Sequence, residues 1–410
     1  MHHPLIGATV LAAALLAAPV SAAPLTLQAA LDRAVQRSET TRGARAGLLS
    51  ASEAAQAASQ LPDPTLRVGV ENLPVTGGDR FSTARDSMTM KRIGISQEWL
   101  SRDKRDARQA AANAVVGKES VQTRVAAADV RLQTALAYLD AFYAAQALRL
   151  TTLMEHHAHE EYEAARARLA SAIGGSEEVL KLAAARGMAE DESADLRQQR
   201  STAEIALERW IGLPVGDLDP VASLPTPSES EYVAGDPVVV SLQREIDVAR
   251  GAAAVAASNR RPNWTWEVSY GQRTGYSDMV SVGVSIPFPV APAARQDRET
   301  ASKLALASKA EADLAEATRS ATADYLSVMS DVQRLQERIS RYRSSVLAPA
   351  QQRTASATAA YRSNQTSLTA LFEARHAEVD VQRKLLTLQR DLAKRQAQLA
   401  YRPIQTGGSL

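Results

Sequence analysis

From Ser101 to about Ala172 the chain contains no proline. Within that stretch Val121, Val125, Ala128, Leu132, Ala135, Leu139 and Phe142 follow one another at alternating intervals of 4 and 3 residues. A strict apolar heptad calls for a helix packed lengthwise against other helices. Roughly 72 residues rising about 1.5 Å each make a rod about 108 Å long. "IGGSEE" at 173–178 turns the chain, and a second helix runs back to "ERWIGLP", where Gly212 caps it and Pro214 stops it. The first constraint on the fold is therefore a very long helical hairpin.

The second constraint is that the unit occurs twice. "LPDPTLRVGV" at 61–70 is echoed by "RPNWTWEVSY" at 261–270, with Pro62 on Pro262, Thr65 on Thr265 and Val68 on Val268. Leu66, Val68 and Val70 alternate with polar or small residues, and so do Ile93, Ile95, Gln97 and Trp99 in "KRIGISQEW" after a polar loop; this is the pattern of a β-hairpin. Trp264, Trp266, Val268 and Tyr270, then Val280, Val282, Val284, Ile286 and Phe288, repeat it. Tyr325, Val328, Val332, Leu335, Ile339, Tyr342 and Val346 form a second heptad, with a kink expected at Pro349. "SNQTS" at 363–367 turns that helix into a last one.

The expected organisation is a first repeat over 23–212 (helix, β-hairpin 64–99, helical hairpin 101–212) and a second over 238–401 (helix, β-hairpin 263–288, helical hairpin 292–401). Residues 213–237, holding Pro214, Pro220, Pro225, Pro227 and Pro237, join them as a linker without period, and 402–410 read as a disordered tail. Residues 1–22, apolar from Leu5 to Ala18 and ending in small residues, read as a secretory signal, although His2 and His3 stand where basic residues are usual.

Composition removes several classes of function. There is no cysteine, which excludes disulfides, thiolate catalysis and lipidation through cysteine. Forty-seven basic and 46 acidic residues leave a net charge of +1 with no block of like charge, so nothing recommends a nucleic-acid partner. The mature chain holds no apolar run long enough for a transmembrane helix, so membrane insertion would have to be by strands.

The four strands, of about 8 to 10 residues each, have the length that crosses a bilayer core when tilted. Their apolar residues alternate with Arg67, Lys91, Arg92, Glu267, Ser281 and Ser285, as in the wall of a water-filled barrel; a soluble sheet with one buried face has the same alternation. Small barrels need about eight strands, and open edges are not tolerated in lipid. Three copies would supply twelve.

The chain resembles the TolC-like outer-membrane efflux proteins over nearly all of its mature length. "LPDPTLRVGVENLPVTG", "MTMKRIGISQEWLSRDKRDAR" and "LERWIG" are similar to the members that serve heavy-metal efflux pumps. The resemblance implies an α+β membrane protein acting as a passive homotrimeric conduit in the outer membrane of a Gram-negative bacterium. A 12-stranded β-barrel with four strands per chain would be continued by a long α-helical coiled-coil periplasmic tunnel. Such a conduit joins a periplasmic adaptor protein and an inner-membrane pump of the resistance-nodulation-division type. Many relatives carry a lipidated cysteine after the signal; with none here, anchoring would rest on the barrel in outer-membrane lipid.

By the same resemblance the two interhelical turns are periplasmic tips. Gly174, Gly175 and Ser176 in one turn and Asn364, Gln365 and Ser367 in the other would meet the adaptor. Ser176 superposes on Ser367 and Leu180 on Leu371. Tyr361 stands where the family has a gate tyrosine and Glu373 where it has a ring-forming acid. Ala370 replaces the usual second acid and Thr366 the usual basic partner, and Glu177 and Glu178 are candidates for the missing charge. Glu177 and Glu178 equally suit a helix N-terminus after Ser176, and Glu373 a solvated face.

"MEHHAHEEYE" places His156, His159 and Glu160 at i, i+3 and i+4, a spacing able to bind zinc or copper and equally that of a solvated helix face. No phosphate-cradling loop and no catalytic constellation stands out, so the sequence calls for no cofactor and an enzyme is the least supported class. The function expected is an efflux channel for heavy-metal cations such as copper or silver. The alternatives are a drug channel, or a periplasmic adaptor, which would show one helical hairpin rather than two.

Overall fold

The computed structural model describes residues 24–404; the expected signal at 1–22 and residues 405–410 lie outside the described residues. The elements run α1 (Leu27–Arg37), α2 (Glu39–Ala57), β1 (Thr65–Glu71), β2 (Met90–Trp99), α3 (Arg102–Ala170), α4 (Ser176–Ile211), α5 (Glu229–Gly235), α6 (Pro237–Ser258), β3 (Trp264–Gln272), β4 (Met279–Ser285), α7 (Gln296–Tyr342), α8 (Ala348–Arg362) and α9 (Leu368–Tyr401). Among the described residues no helix is long and apolar enough to cross a membrane.

The single helix expected ahead of the first β-hairpin is two. Ser38 is extended (ψ 120°) and its hydroxyl accepts from Thr41 N, ending α1 and capping α2. Helix α3 runs unbroken for 69 residues and is buried on more than the heptad face. Val121, Ala128, Ala135 and Leu139 are buried, and so is a second set: Thr123, Ala127, Val130, Thr134, Tyr138 and Ala141. The second set meets α1, with Ala127 and Val130 against Ala34 and Val35 and the Tyr138 hydroxyl donating to Leu25 O at 2.6 Å and Asp219 O at 2.9 Å. A rod packed on two sides by alanines lets neighbouring backbones approach closely, which the low aromatic share allows.

The second heptad is held at Val332 and Ile339, both buried, but not at its end. Arg343–Leu347 form a π turn before Pro349. Proline has no N–H and its ring clashes with the carbonyl four residues back. The wider turn accommodates this and adds one residue to the period. Leu347 consequently packs beside Leu385 and Leu388, and Val346 is left exposed.

Two regions expected to lack structure carry some. The linker holds α5, started by a capping box between Ser228 and Glu231. The expected disordered tail begins with three packed residues. Arg402 binds Asp236 at 3.3 Å and Asp324 at 3.1 Å, and Ile404 is buried, its N–H donating to Gly235 O at 2.7 Å.

The strands form one antiparallel sheet in the order β1-β2-β3-β4, with β1 and β4 as edges. The register puts Leu66, Ile95, Val268 and Val282 in one row and Val68, Ile93, Tyr270 and Val280 in the next, all on one face. That face is uncovered, with Val68 74% and Val282 73% exposed. The sheet joins the helices where Lys104, itself buried, donates to Arg261 O at 3.1 Å and Asn263 Oδ1 at 2.7 Å. Burial is the main reason its ammonium pKa is held below the usual range, with Arg108 adding to the effect and Glu98 opposing it.

Candidate functional site

The two tips share one backbone design. Helices α3 and α8 end at Ser171 and Ser363, followed by Ala172 (φ 59°) and Asn364 (φ 56°), both left-handed. Ile173 N donates to Arg168 O at 3.0 Å and Gln365 N to Ala360 O at 2.8 Å, closing each helix end in the same way. Helices α4 and α9 then start from Gly175 and Ser367.

This corrects the sequence superposition by one residue, since Gly175, not Ser176, stands on Ser367. The Ser367 side chain accepts from Ala370 N at 3.2 Å, whereas Gly175 has no side chain to cap with, so the serine beside it resembled the cap. In the corrected alignment Glu178 falls on Ala370, Leu169 on Tyr361 and Lys181 on Glu373.

The same shift reassigns the charges. Glu178, half-buried, does not cap its own helix by a side-chain bond; its Oε1 accepts from Leu368 N at 3.3 Å, reaching across to the first turn of α9. Glu177 binds Lys181 at 2.7 Å on the exposed face of α4. That contact holds the Glu177 carboxyl below its ordinary range and the Lys181 ammonium above its own, with Glu373 adding to the latter. The sequence reading overlooked Lys181, the basic side chain that Glu177 holds beside the first tip.

Tyr361, half-buried, packs against the tip core of Met154, Ala158, Leu182, Leu368, Leu371 and Phe372. Thr366 and Gly174 are half-buried, while Gly175, Ser176, Asn364, Gln365, Ser367 and Glu373 are exposed. Beside them Ile173 and Leu180 are exposed in the first tip only.

Behind the tip, side chains of α9 tie the two helical hairpins together. Arg375 Nη1 binds Glu161 Oε1 at 2.6 Å, Arg383 binds Glu192, and Lys394 binds Asp140 at 2.8 Å. Glu161 is only 4% exposed and its Oε2 has no hydrogen-bond partner. Burial pushes its carboxyl up to about 7, against the lowering influence of Arg375 and with a small further rise from Glu160.

The expected metal cluster is not assembled. Glu160 shares its carboxylate between His156 and His157, each at 3.3 Å, on an exposed surface, and His159 takes no part. Among the described residues no group of three His, Cys, Asp or Glu side chains is arranged to hold a metal ion.

At the other end, the second face of the sheet carries Arg67, Arg92, Glu71 and Glu267 among glycines and serines. Arg92 lies 2.5 Å from Glu71 and 3.3 Å from Glu267, with its Nε 2.7 Å from Ser269 Oγ. Arg67 reaches Glu267 at 3.6 Å across β2, where Gly94 has no side chain in the way. The two arginines are matched by Glu71 and Glu267, and a third acid of this face, Glu98 near the helices, accepts from Asn263 Nδ2 at 2.6 Å.

No protein-family model and no curated protein matches the chain. Solved structures do. The outer membrane protein VceC from Vibrio cholerae superposes with a TM-score of 0.74 at 16% identity, covering 92% of this chain and 95% of that one. The Neisseria gonorrhoeae MtrE outer membrane channel in its open state gives 0.76 at 17% identity, covering 92% and 88%. CusC, described for transmembrane channel formation, gives 0.73 at 14% identity, covering 92% and 91%. The chain therefore has the fold of these outer-membrane channels, a strand layer continued by long helical hairpins, as the sequence led us to expect. CusC is one of several such neighbours and is not singled out, so the similarity does not favour a heavy-metal branch.

Proposed function

We propose that the protein is the outer-membrane channel of a tripartite efflux system. In this reading three copies close a twelve-stranded barrel in the membrane and a helical tunnel below it. The observation that carries the proposal is the sheet: four strands with both edges unpaired and an apolar face with nothing covering it. In water that face and those edges would aggregate. In a bilayer the face is satisfied by lipid, and only closure satisfies the edges.

In the assembled channel the tips form the periplasmic entrance. The Glu178 bond to Leu368 links the two hairpins of each chain at that entrance, with Lys181 and Glu373 bringing opposite charges near it, and the exposed turn residues, with Ile173 and Leu180, are offered to the adaptor. Transport energy comes from an inner-membrane pump. Heavy-metal cations are the cargo suggested by the resemblance of the strand and helix motifs; on the inner face the two arginines are matched by Glu71 and Glu267, and selection is left to the pump.

Extraction from outer membranes as a detergent-stable trimer is the expected result. Recovery as a soluble or inner-membrane monomer would contradict the proposal. For the cargo, deletion of the gene should raise sensitivity to copper, silver, zinc, cobalt or cadmium, and new sensitivity to organic drugs alone would remove the metal assignment.

A further inference from the structure

We propose that the loop-side rim of the sheet binds the phosphate groups of anionic lipid headgroups in the outer leaflet, through Lys91 and Arg273 at the boundary and Arg80 and Arg85 in the loop above. This rests on reading the sheet as a barrel wall.

The register fixes the boundary. Above the apolar rows of the uncovered face, the next row is Val70, Lys91 and Gln272, so Lys91, expected from the sequence among the inward polar residues, is instead the first charge on the lipid side; of the adjacent pair only Arg92 faces inward. Below them, Trp99 lies opposite Trp264, their rings 5.9 Å apart and both exposed. Lys91 and Trp99 are eight residues apart on β2, about 27 Å along the strand at about 3.4 Å per residue. A tilt of about 40° reduces that to about 20 Å, close to the apolar band of a barrel of this class. Lys91 and the tryptophans therefore stand at opposite interfaces, and Lys91 is on the side away from the helices.

On the helix side three of the arginines nearest the strands are matched within the chain, Arg261 with Asp103, Arg260 with Asp297 at 3.8 Å and Arg102 with Asp106 at 3.8 Å, while Arg295 and Arg298 after β4 form no ion pair among the described residues. On the loop side Arg80, Arg85, Lys91 and Arg273 form no ion pair among the described residues. Asp79, beside Arg80, forms no ion pair with it, and the other nearby acids are engaged elsewhere. Glu71 faces inward to Arg92, Asp86 Oδ1 accepts from Met88 N at 2.6 Å, and Asp278 takes the Tyr270 hydroxyl and, at 3.3 Å, the N–H of Arg273. Arg80 and Arg273 instead stack on the exposed rings of Phe81 and Tyr276, at 6.0 and 5.6 Å from their centroids, and the Arg273 guanidinium also donates to Ser277 O at 3.1 and 3.2 Å. Unmatched cations among exposed aromatics form a surface complementary to an anionic headgroup layer.

The test uses the purified protein with lipid A as the probe, in detergent by native mass spectrometry and in vesicles of phosphatidylcholine with and without a third phosphatidylglycerol. Lipid A should bind, and inorganic phosphate should not compete at equal concentration. Replacing Arg80, Arg85 and Lys91 together by Gln should weaken binding about a hundredfold, at roughly fivefold per cation. Arg261→Gln on the helix side should leave it unchanged. Wild-type affinity in the triple variant, or no binding by either protein, overturns the proposal. Failure to insert into either kind of vesicle contradicts the barrel itself, whereas insertion with no preference between the vesicles contradicts only the rim.

Discussion

Lys181 and Glu373 occupy the same place in the two tip turns and carry opposite charges, so each copy brings a cation from its first hairpin to an anion from its second. Glu177, bonded to Lys181 at 2.7 Å, orients that cation from its own helix. Lys181→Glu would set three acids against one another. We expect the variant to raise channel conductance roughly two- to fivefold at low salt, the effect fading near 0.5 M as exposed charges are screened. Conductance in planar bilayers measures it, and Glu373→Lys in the same chain should reverse it.

The left-handed backbone at Ala172 makes a prediction about stability. An L-residue there carries a steric cost of about 1–2 kcal/mol that glycine avoids. Ala172→Gly should therefore raise the stability of the tip by up to about 1 kcal/mol, after the larger chain entropy of glycine is subtracted. Asn364, with a similar φ, already tolerates that conformation, so Asn364→Gly should change little. Exchange protection of the tip amides in both variants decides this.

Glu161 sets the pH dependence of the tip. Its carboxyl titrates near 7 in the folded protein, above the ordinary 4.5. A raised carboxyl means that the folded state binds the extra proton. The associated stability is complete below pH 4.5 and lost as pH rises through about 7, on the order of 3 kcal/mol in total. Tip amides should exchange faster above pH 7 after correction for intrinsic rates. Glu161→Gln should abolish that dependence; a wild-type profile in the variant would show that another group is responsible.

Gly94 is required by its neighbours. A Cβ there would lie 2.7 Å from Ser269 Cβ and 3.2 Å from Val268 O, in the middle of the β2–β3 pairing. Gly94→Val should cost about 1–3 kcal/mol through overpacking, seen as less heat-resistant oligomer after extraction, whereas Gly69→Val, with nothing near its Cβ position, should be milder.

The strands were legible because alternation over Leu66–Val70 or Val280–Val284 has no other simple solution, and the first rod because no proline interrupts it. Pairing was not. The partners Glu161 and Arg375, or Asp140 and Lys394, lie more than 200 residues apart, and nothing local marks Glu161, in "HEEYE", as the buried acid. The tip register failed for a local reason: a glycine cap leaves no side-chain signature, so Ser176 stood in for Gly175. Val346 was misassigned because a π turn shifts the period by one residue. The His156–His159 spacing was real, but spacing on one helix does not bring in the further ligands that a metal requires.

Closure of the sheet by other copies of the chain is the central claim, and a protein without cysteine allows a direct measurement of it. Val68→Cys on edge strand β1 can be combined in turn with Val280→Cys, Val282→Cys or Val284→Cys on edge strand β4. Within one chain the two edges are three strand spacings apart, about 14 Å, too far for a disulfide. Oxidation in outer membranes should yield linked dimers and a closed trimer, and nothing larger, for at least one of the three pairs. Absence of any link between copies, or a ladder extending beyond three, would contradict the account.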